Sequence, residues 1–168
     1  NLFLPDSEVQ YYLSWKNVGK IDLALYKVDL AAGVALGKDD SASAWLQSLK
    51  VTDGMRRKAW THDTKDKGDH RPGSAPLALD GKLEPGAYVL EASAGKHKAR
   101  ELVLVTDTAL VLKTAGTRIV AFTVEVEGGV PLVEADIVLW QRTYTSSSWK
   151  WQRSSAKTDP MPISSLYE

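Results

Sequence analysis

The chain of 168 residues contains no cysteine. Disulfides, thiol nucleophiles and zinc–thiolate sites are therefore excluded, whatever the compartment. It also lacks an excess of charge of either sign, because 21 Lys and Arg balance 21 Asp and Glu. That removes the electrostatic footprint of a nucleic-acid binder. No polybasic run marks an anionic membrane surface, and no apolar run approaches the ~20 residues of a membrane-spanning helix. Gly-x-Ser-x-Gly elbows and glycine-rich phosphate loops are missing too. Neither a start methionine nor an apolar signal segment precedes Asn1, so the chain is expected to be a mature or excised piece of a longer protein.

The chain does have enough apolar residues for a core: 43% hydrophobic against 25% charged, ordinary values for a globular protein. They alternate. In IDLALYK, Ile21, Leu23 and Leu25 share one face of a strand; in ADIVLWQ, Ala135, Ile137 and Leu139 do the same. Period two is the spacing of a half-buried strand. The other face carries a large aromatic at the same place, Tyr26 or Trp140. Another alternating strand precedes each copy, with Val9, Tyr11, Leu13 and Trp15 on one face in the first and Val120, Phe122, Val124 and Val126 in the second. Asn17 and Gly19 punctuate the first pair of strands; Gly128, Gly129 and Pro131 punctuate the second. The chain thus writes a strand–turn–strand unit twice.

Further strands are expected over Leu102–Thr106 and Ala109–Lys113. LEPGAYVLEAS, from Leu83 to Ser93, places a Pro-Gly turn before a strand in the pattern of a tyrosine corner. Tyr88 is then expected to be buried, its hydroxyl bonded to nearby backbone, with Leu90 and Ala92 following it inward. One window breaks the β pattern. Ala42, Trp45, Leu46 and Leu49 recur at helical spacing, predicting a short helix near residues 41–50 capped by Asp40 or Ser41. Thr61 to Ser74 has no large apolar side chain and reads as a solvated loop.

Two places could carry chemistry. His62, Asp63, Asp66, Asp69 and His70 crowd into nine residues and include metal-ligating types. Their spacing matches no standard zinc or EF-hand signature, and Lys65 and Lys67 interleave with the acids, so the cluster reads as a solvated loop without metal. Trp149 and Trp151 lie two apart on one side of a strand, with Tyr144 across a serine-rich turn at Ser146 to Ser148. They form either an aromatic platform for sugar or peptide, or a packing surface against a core or neighbouring module. His97 sits in a basic turn and is expected to be exposed. No nucleophile–base–orienter set emerges from the spacing; neither enzymatic activity nor a cofactor is expected.

Several stretches resemble the macroglobulin-like (MG) domains of bacterial α2-macroglobulin-like proteins. These are the extended lead-in followed by NVGKIDLALYKV; the turn formed by Leu83, Pro85, Gly86 and Tyr88; the handover VTDTALVLK; and Gly129, Pro131, Leu132, Ala135, Ile137 and Leu139 in G-x-P-L-x-x-A-x-I-x-L. The resemblance covers most of the chain outside Asp39 to Pro76 and the C-terminal end. It implies an all-β fold of Greek-key β-sandwich (macroglobulin-like or Ig-like) modules in tandem, with boundaries at 1–105 and 106–168. It also implies a non-catalytic scaffold of a protease-trapping inhibitor, periplasmic or extracellular, whose partners are the other domains of its parent and, through the parent, proteases. Contact with nucleic acid or membrane is not implied. The family's reactive thioester needs a cysteine, which is absent here. Only three or four strands are expected after Asp107, so the second module is expected to be incomplete. The alternative is a carbohydrate- or protein-binding β-sandwich of a bacterial surface protein.

Overall fold

A computed structural model describes residues 1–31, 42–116, 118–145, 147–158 and 163–167. The chain divides into two compact units, the first ending at Thr106 and the second running from Asp107. Both are built of strands, and among the described residues no helix is long and apolar enough to cross a membrane.

The first unit is a sandwich of two sheets. The larger joins β1 (Leu2–Phe3), β7 (His97–Val105), β6 (Gly86–Ala94), β3 (Lys20–Val28) and β4 (Arg56–Asp63), in that order. The smaller pairs β2 (Gln10–Lys16) with β5 (Pro72–Ala78). The period-two residues meet between the sheets. Val9, just before β2, and Tyr11 and Leu13 of the smaller sheet pack on Ile21, Leu23, Leu25, Leu90, Val103 and Val105 of the larger. Tyr88 is 3% exposed, and its hydroxyl donates to the Glu84 carbonyl at 2.8 Å, as the corner motif requires. The helix α1 spans Ala42–Ser48; Asp40 and Ser41, its expected caps, lie outside the described residues.

In the second unit, β8 (Thr108–Ala115), β9 (Arg118–Glu125) and β12 (Ile163–Tyr167) form one sheet in the order β12-β9-β8. The hairpin of β10 (Asp136–Thr145) and β11 (Ser148–Lys157) forms the other. Among the described residues five strands follow Asp107, more than the three or four expected, because residues 163–167 pair with β9 as β12. The core is thin. Ala121 and Ile137 are buried, with Ile119, Leu139 and Ala156 against them. A polar knot helps close it: the buried Thr158 hydroxyl donates to the Leu132 carbonyl at 2.8 Å and accepts from the Ala135 N–H at 2.9 Å.

The two copies of the strand–turn–strand pattern are not hairpins. β2 does not pair with β3, nor β9 with β10; each turn carries the chain from one sheet to another. The likeness extends further. β2 pairs with β5 and β3 with β4, while β9 pairs with β12 and β10 with β11. β3 also takes β6 on its other edge. Among the described residues no strand takes that place beside β10.

Two sequence expectations require correction. The deeply buried face of β9 is Ala121 and Thr123, whereas Val120, Phe122 and Val124 are half-buried and Val126 is exposed. The small residues face inward because the Ile137 and Leu139 side chains fill the space between the sheets. The solvated loop is also shorter than Thr61 to Ser74. Thr61, His62 and Asp63 belong to β4 and Pro72 to Ser74 to β5, leaving only residues 64–71 between strands. Polar side chains are compatible with both strands because each exposes alternate residues to solvent.

Candidate functional site

The titratable cluster between β4 and β5 is dispersed by the fold. His62 sits on β4 opposite Ile21, its ring centroid 5.5 Å from that of Trp15. Asp63 accepts the Lys65 N–H at 3.0 Å. His70 is locked to the turn after β2: the Asn17 side chain accepts its backbone N–H at 3.0 Å and bonds its Nδ1 at 2.8 Å. Because the Asn17 oxygen is the acceptor of the first bond, its amide N–H donates in the second. Asp66 accepts the Gly68 N–H at 2.7 Å and, more weakly, that of Val18 at 3.4 Å. The Gly68 bond above all holds its carboxyl below the usual range. These groups fasten the β4–β5 loop onto the β2–β3 turn. Among the described residues no three His, Asp or Glu side chains converge to hold a metal ion. His97 is exposed at the start of β7.

A second cluster, invisible in the sequence pattern, lies on β6 and β7. Glu91 and Arg100 are cross-strand neighbours. The Arg100 side chain is 9% exposed and its guanidinium lies 2.6 Å from the Glu91 carboxylate. Lys98 reaches the other Glu91 oxygen at 3.0 Å. Burial opposes ionisation of Glu91, but the hydrogen bonds and charges of Lys98 and Arg100 outweigh it and hold the carboxyl below its usual value. The same Arg100 donates to the carbonyls of Leu46, Gln47 and Leu49 at 3.2, 3.1 and 2.6 Å. Such carbonyls at a helix C-terminus otherwise lack partners. Arg100 therefore fixes α1 to the sheet; the arrangement is structural.

The third cluster is the face of the β10–β11 hairpin turned away from Ile137 and Leu139. Its register sets Tyr144 opposite Trp149, Arg142 opposite Trp151 and Trp140 opposite Arg153. Side chains on one face alternate, so these six share it. The aromatic rings of Tyr144 and Trp149 meet edge-on with centroids 5.2 Å apart. The Arg142 guanidinium stacks 4.6 Å from the Trp149 ring centre. Tyr144 is 63% and Trp149 43% exposed; Trp151 is half-buried. The three aromatic residues expected to form a surface are thus brought together. Arg142 was missed, although a two-residue turn centred on Ser146 and Ser147 would have placed it opposite Trp151.

No protein-family model matches the chain. Its fold is shared with a crystal structure of native alpha-2-macroglobulin from Escherichia coli spanning domains MG0-NIE-MG1, at TM-score 0.64 and 17% identity over 97% of this chain. The chain spans about half the length of that segment, 53%. A second crystal structure of the same protein, spanning NIE-MG1, matches at TM-score 0.56 and 16% identity, over 94% of this chain and 77% of that one. At these identities the likeness is one of fold.

Proposed function

We propose that the chain is a two-module, non-catalytic segment of an alpha-2-macroglobulin-like protein, with its units in the places of NIE and MG1. The observation that carries this reading is that the fold is shared over 94% of the chain with a solved segment bearing those two domains. The sequence resemblance to MG domains agrees with it. The modules would serve as scaffold in a periplasmic or extracellular inhibitor that holds a protease after being cut by it. Their partners would be the other domains of the parent. The test is made on the parent protein. Incubation with trypsin should cleave it, change its mobility on a native gel and leave trypsin associated with it, while the chain alone inhibits nothing. A parent that neither changes shape nor retains a protease after cleavage would remove the trapping reading.

The second unit, proposed to span 106–168, is on this reading a partial module. β9 to β12 repeat the pairings of β2 to β5, and the place of β6 is open beside β10 among the described residues. Leu110 and Leu112 point the same way as Thr123 and Ala121, their partners on β9, yet are 52% and 51% exposed. A strand added to β10 would cover them and close an open edge. A longer piece of the parent should therefore bind less of a hydrophobic dye than this chain does.

A second reading has its own observation, the aromatic face of the β10–β11 hairpin, on which Tyr144 and Trp149 are exposed and Trp151 is half-buried. On it the unit is a carbohydrate- or protein-binding module, with Tyr144, Trp149 and Trp151 at the contact.

A further inference from the structure

We propose that the free edge of β2 docks an extended strand of another polypeptide, with apolar residues at alternate positions and a carboxylate at the end that meets Lys16. The site belongs to the first unit and does not rest on the trapping reading.

The hydrogen bonds of β2 come first. The Leu79 N–H donates to the Val9 carbonyl at 2.9 Å. Antiparallel partners that exchange such bonds recur at every second position. Tyr11, Leu13 and Trp15 therefore bond to β5, opposite Leu77, Ala75 and Gly73. The backbone N–H and C=O groups of Gln10, Tyr12, Ser14 and Lys16 point the other way, where among the described residues no strand lies. The opposite rim of the same small sheet is blunted. Pro72 and Pro76 occupy positions of β5 whose N–H would point outward, and proline has none to offer. Proteins commonly block sheet edges in this way. β2 carries no proline, and its pairing runs without a register shift.

Beside the free edge the larger sheet is bare. The inward-facing residues of β7 begin at the far end with Val105 and Val103, 2% and 1% exposed. They continue with Glu101, Ala99 and His97, all exposed. Leu13, Ala92 and Ala99 are shared by two cavities there, of about 250 and 200 Å³. A strand bonded to β2 would lie over this floor, its alternate side chains entering where the alanines leave room. Peptides are captured at sheet edges by this combination of backbone bonds and alternating pockets.

The site suits a single strand rather than a second copy. Two copies joined through β2 would be related by a twofold axis normal to the sheet. Both larger sheets would then lie on the same side, and their β7 strands would collide beneath the new seam. A lone strand brings no second layer. Lys16 closes β2, and the exposed Lys96 precedes His97, which lines the cavity at that end. These cations favour an acidic residue there. Antiparallel pairing, the more stable kind, puts that residue at the N-terminal end of the occupant.

The experiment titrates the intact chain with the peptide acetyl-Asp-Val-Thr-Val-Thr-Val-Thr-amide, following heat and the fluorescence of Trp15, which lines the cavity. Set with its aspartate opposite Lys16, the peptide turns its threonine N–H groups toward β2 and its valine side chains to the floor. N-methylation of the first two threonines should abolish binding, whereas N-methylation of the first two valines should be tolerated. Replacing the aspartate by lysine should weaken binding severalfold. Ser14→Pro removes one edge donor and none of the bonds to β5; Ala99→Phe fills the floor from an exposed position and serves if the proline variant fails to fold. Each should weaken binding roughly tenfold or more. The proposal is overturned if the peptide does not bind, if both methylated forms bind alike, or if Ala99→Phe changes nothing. A dimer on size exclusion that the peptide dissolves would replace the proposed occupant by a second copy.

Discussion

At the scale of single residues, Gly73 and Trp15 show how closely the first unit is packed. A methyl group built on Gly73 would lie 2.5 Å from the Trp15 indole nitrogen, inside any permitted contact. The ring and the backbone opposite it can approach only because position 73 has no side chain. Gly73→Ala should therefore destabilise the chain by about 1–3 kcal/mol, as overpacking does, measured by urea unfolding. Tyr88→Phe removes one buried hydrogen bond and should cost about 1 kcal/mol in the same assay; an unchanged midpoint would deny the corner its energetic role. The corner was legible because Leu-x-Pro-Gly-x-Tyr is a local signature. Thr158 was not. Its partners Leu132 and Ala135 are more than twenty residues away, and nothing in the local pattern joins them.

At the scale of elements, α1 is tied to β7 by three bonds from the Arg100 side chain, with the Gln47 amide donating back to the Arg100 carbonyl at 3.5 Å. Arg100→Met would leave the Leu46, Gln47 and Leu49 carbonyls without their donor and Glu91 with Lys98 alone. The loss at neutral pH should be about 3 kcal/mol, the low end for breaking a buried pair. Protease cleavage around Lys50 should accelerate with it. The pH dependence has a definite sign. Glu91 is held below its usual value when folded, so its contribution is present above pH ~4.3, the unfolded value. It disappears as pH falls through the folded value. The difference between wild type and Arg100→Met should therefore shrink in acid, as read from unfolding midpoints. β2, β3, β6, β9 and β10 were legible because period two needs only neighbouring residues; β4, β5 and β12 were not. Which face of β9 turns inward was not, because Val, Phe, Ala and Thr are all acceptable to a strand and the choice lies with Ile137 and Leu139 opposite. The polar ends of β4 and β5 were hidden for a related reason: half of each strand faces water. Of the candidate site, the three aromatic residues were legible from spacing, and Arg142 only through cross-strand register.

At the scale of the whole molecule, the two units carry unequal cores. Among the described residues the first encloses eleven buried side chains in one cluster, the second two. Calorimetry should resolve two transitions, the lower belonging to the second unit. Ile137→Ala should lower that transition alone, with a loss of about 2–5 kcal/mol; a single transition shifted as a whole would contradict independent cores. The crossing turn between β2 and β3 also has a consequence for synthesis on the ribosome. β2 cannot pair with its neighbour in sequence; it waits for β5, and the bond between the side chains of Tyr12 and Ser74 spans 62 residues. At about 5–20 residues per second, translation takes roughly 3–12 s to cover that distance. For those seconds Val9, Tyr11, Leu13 and Trp15 are an aliphatic and aromatic strip on a nascent chain with no sheet to join, the kind of segment that chaperones hold.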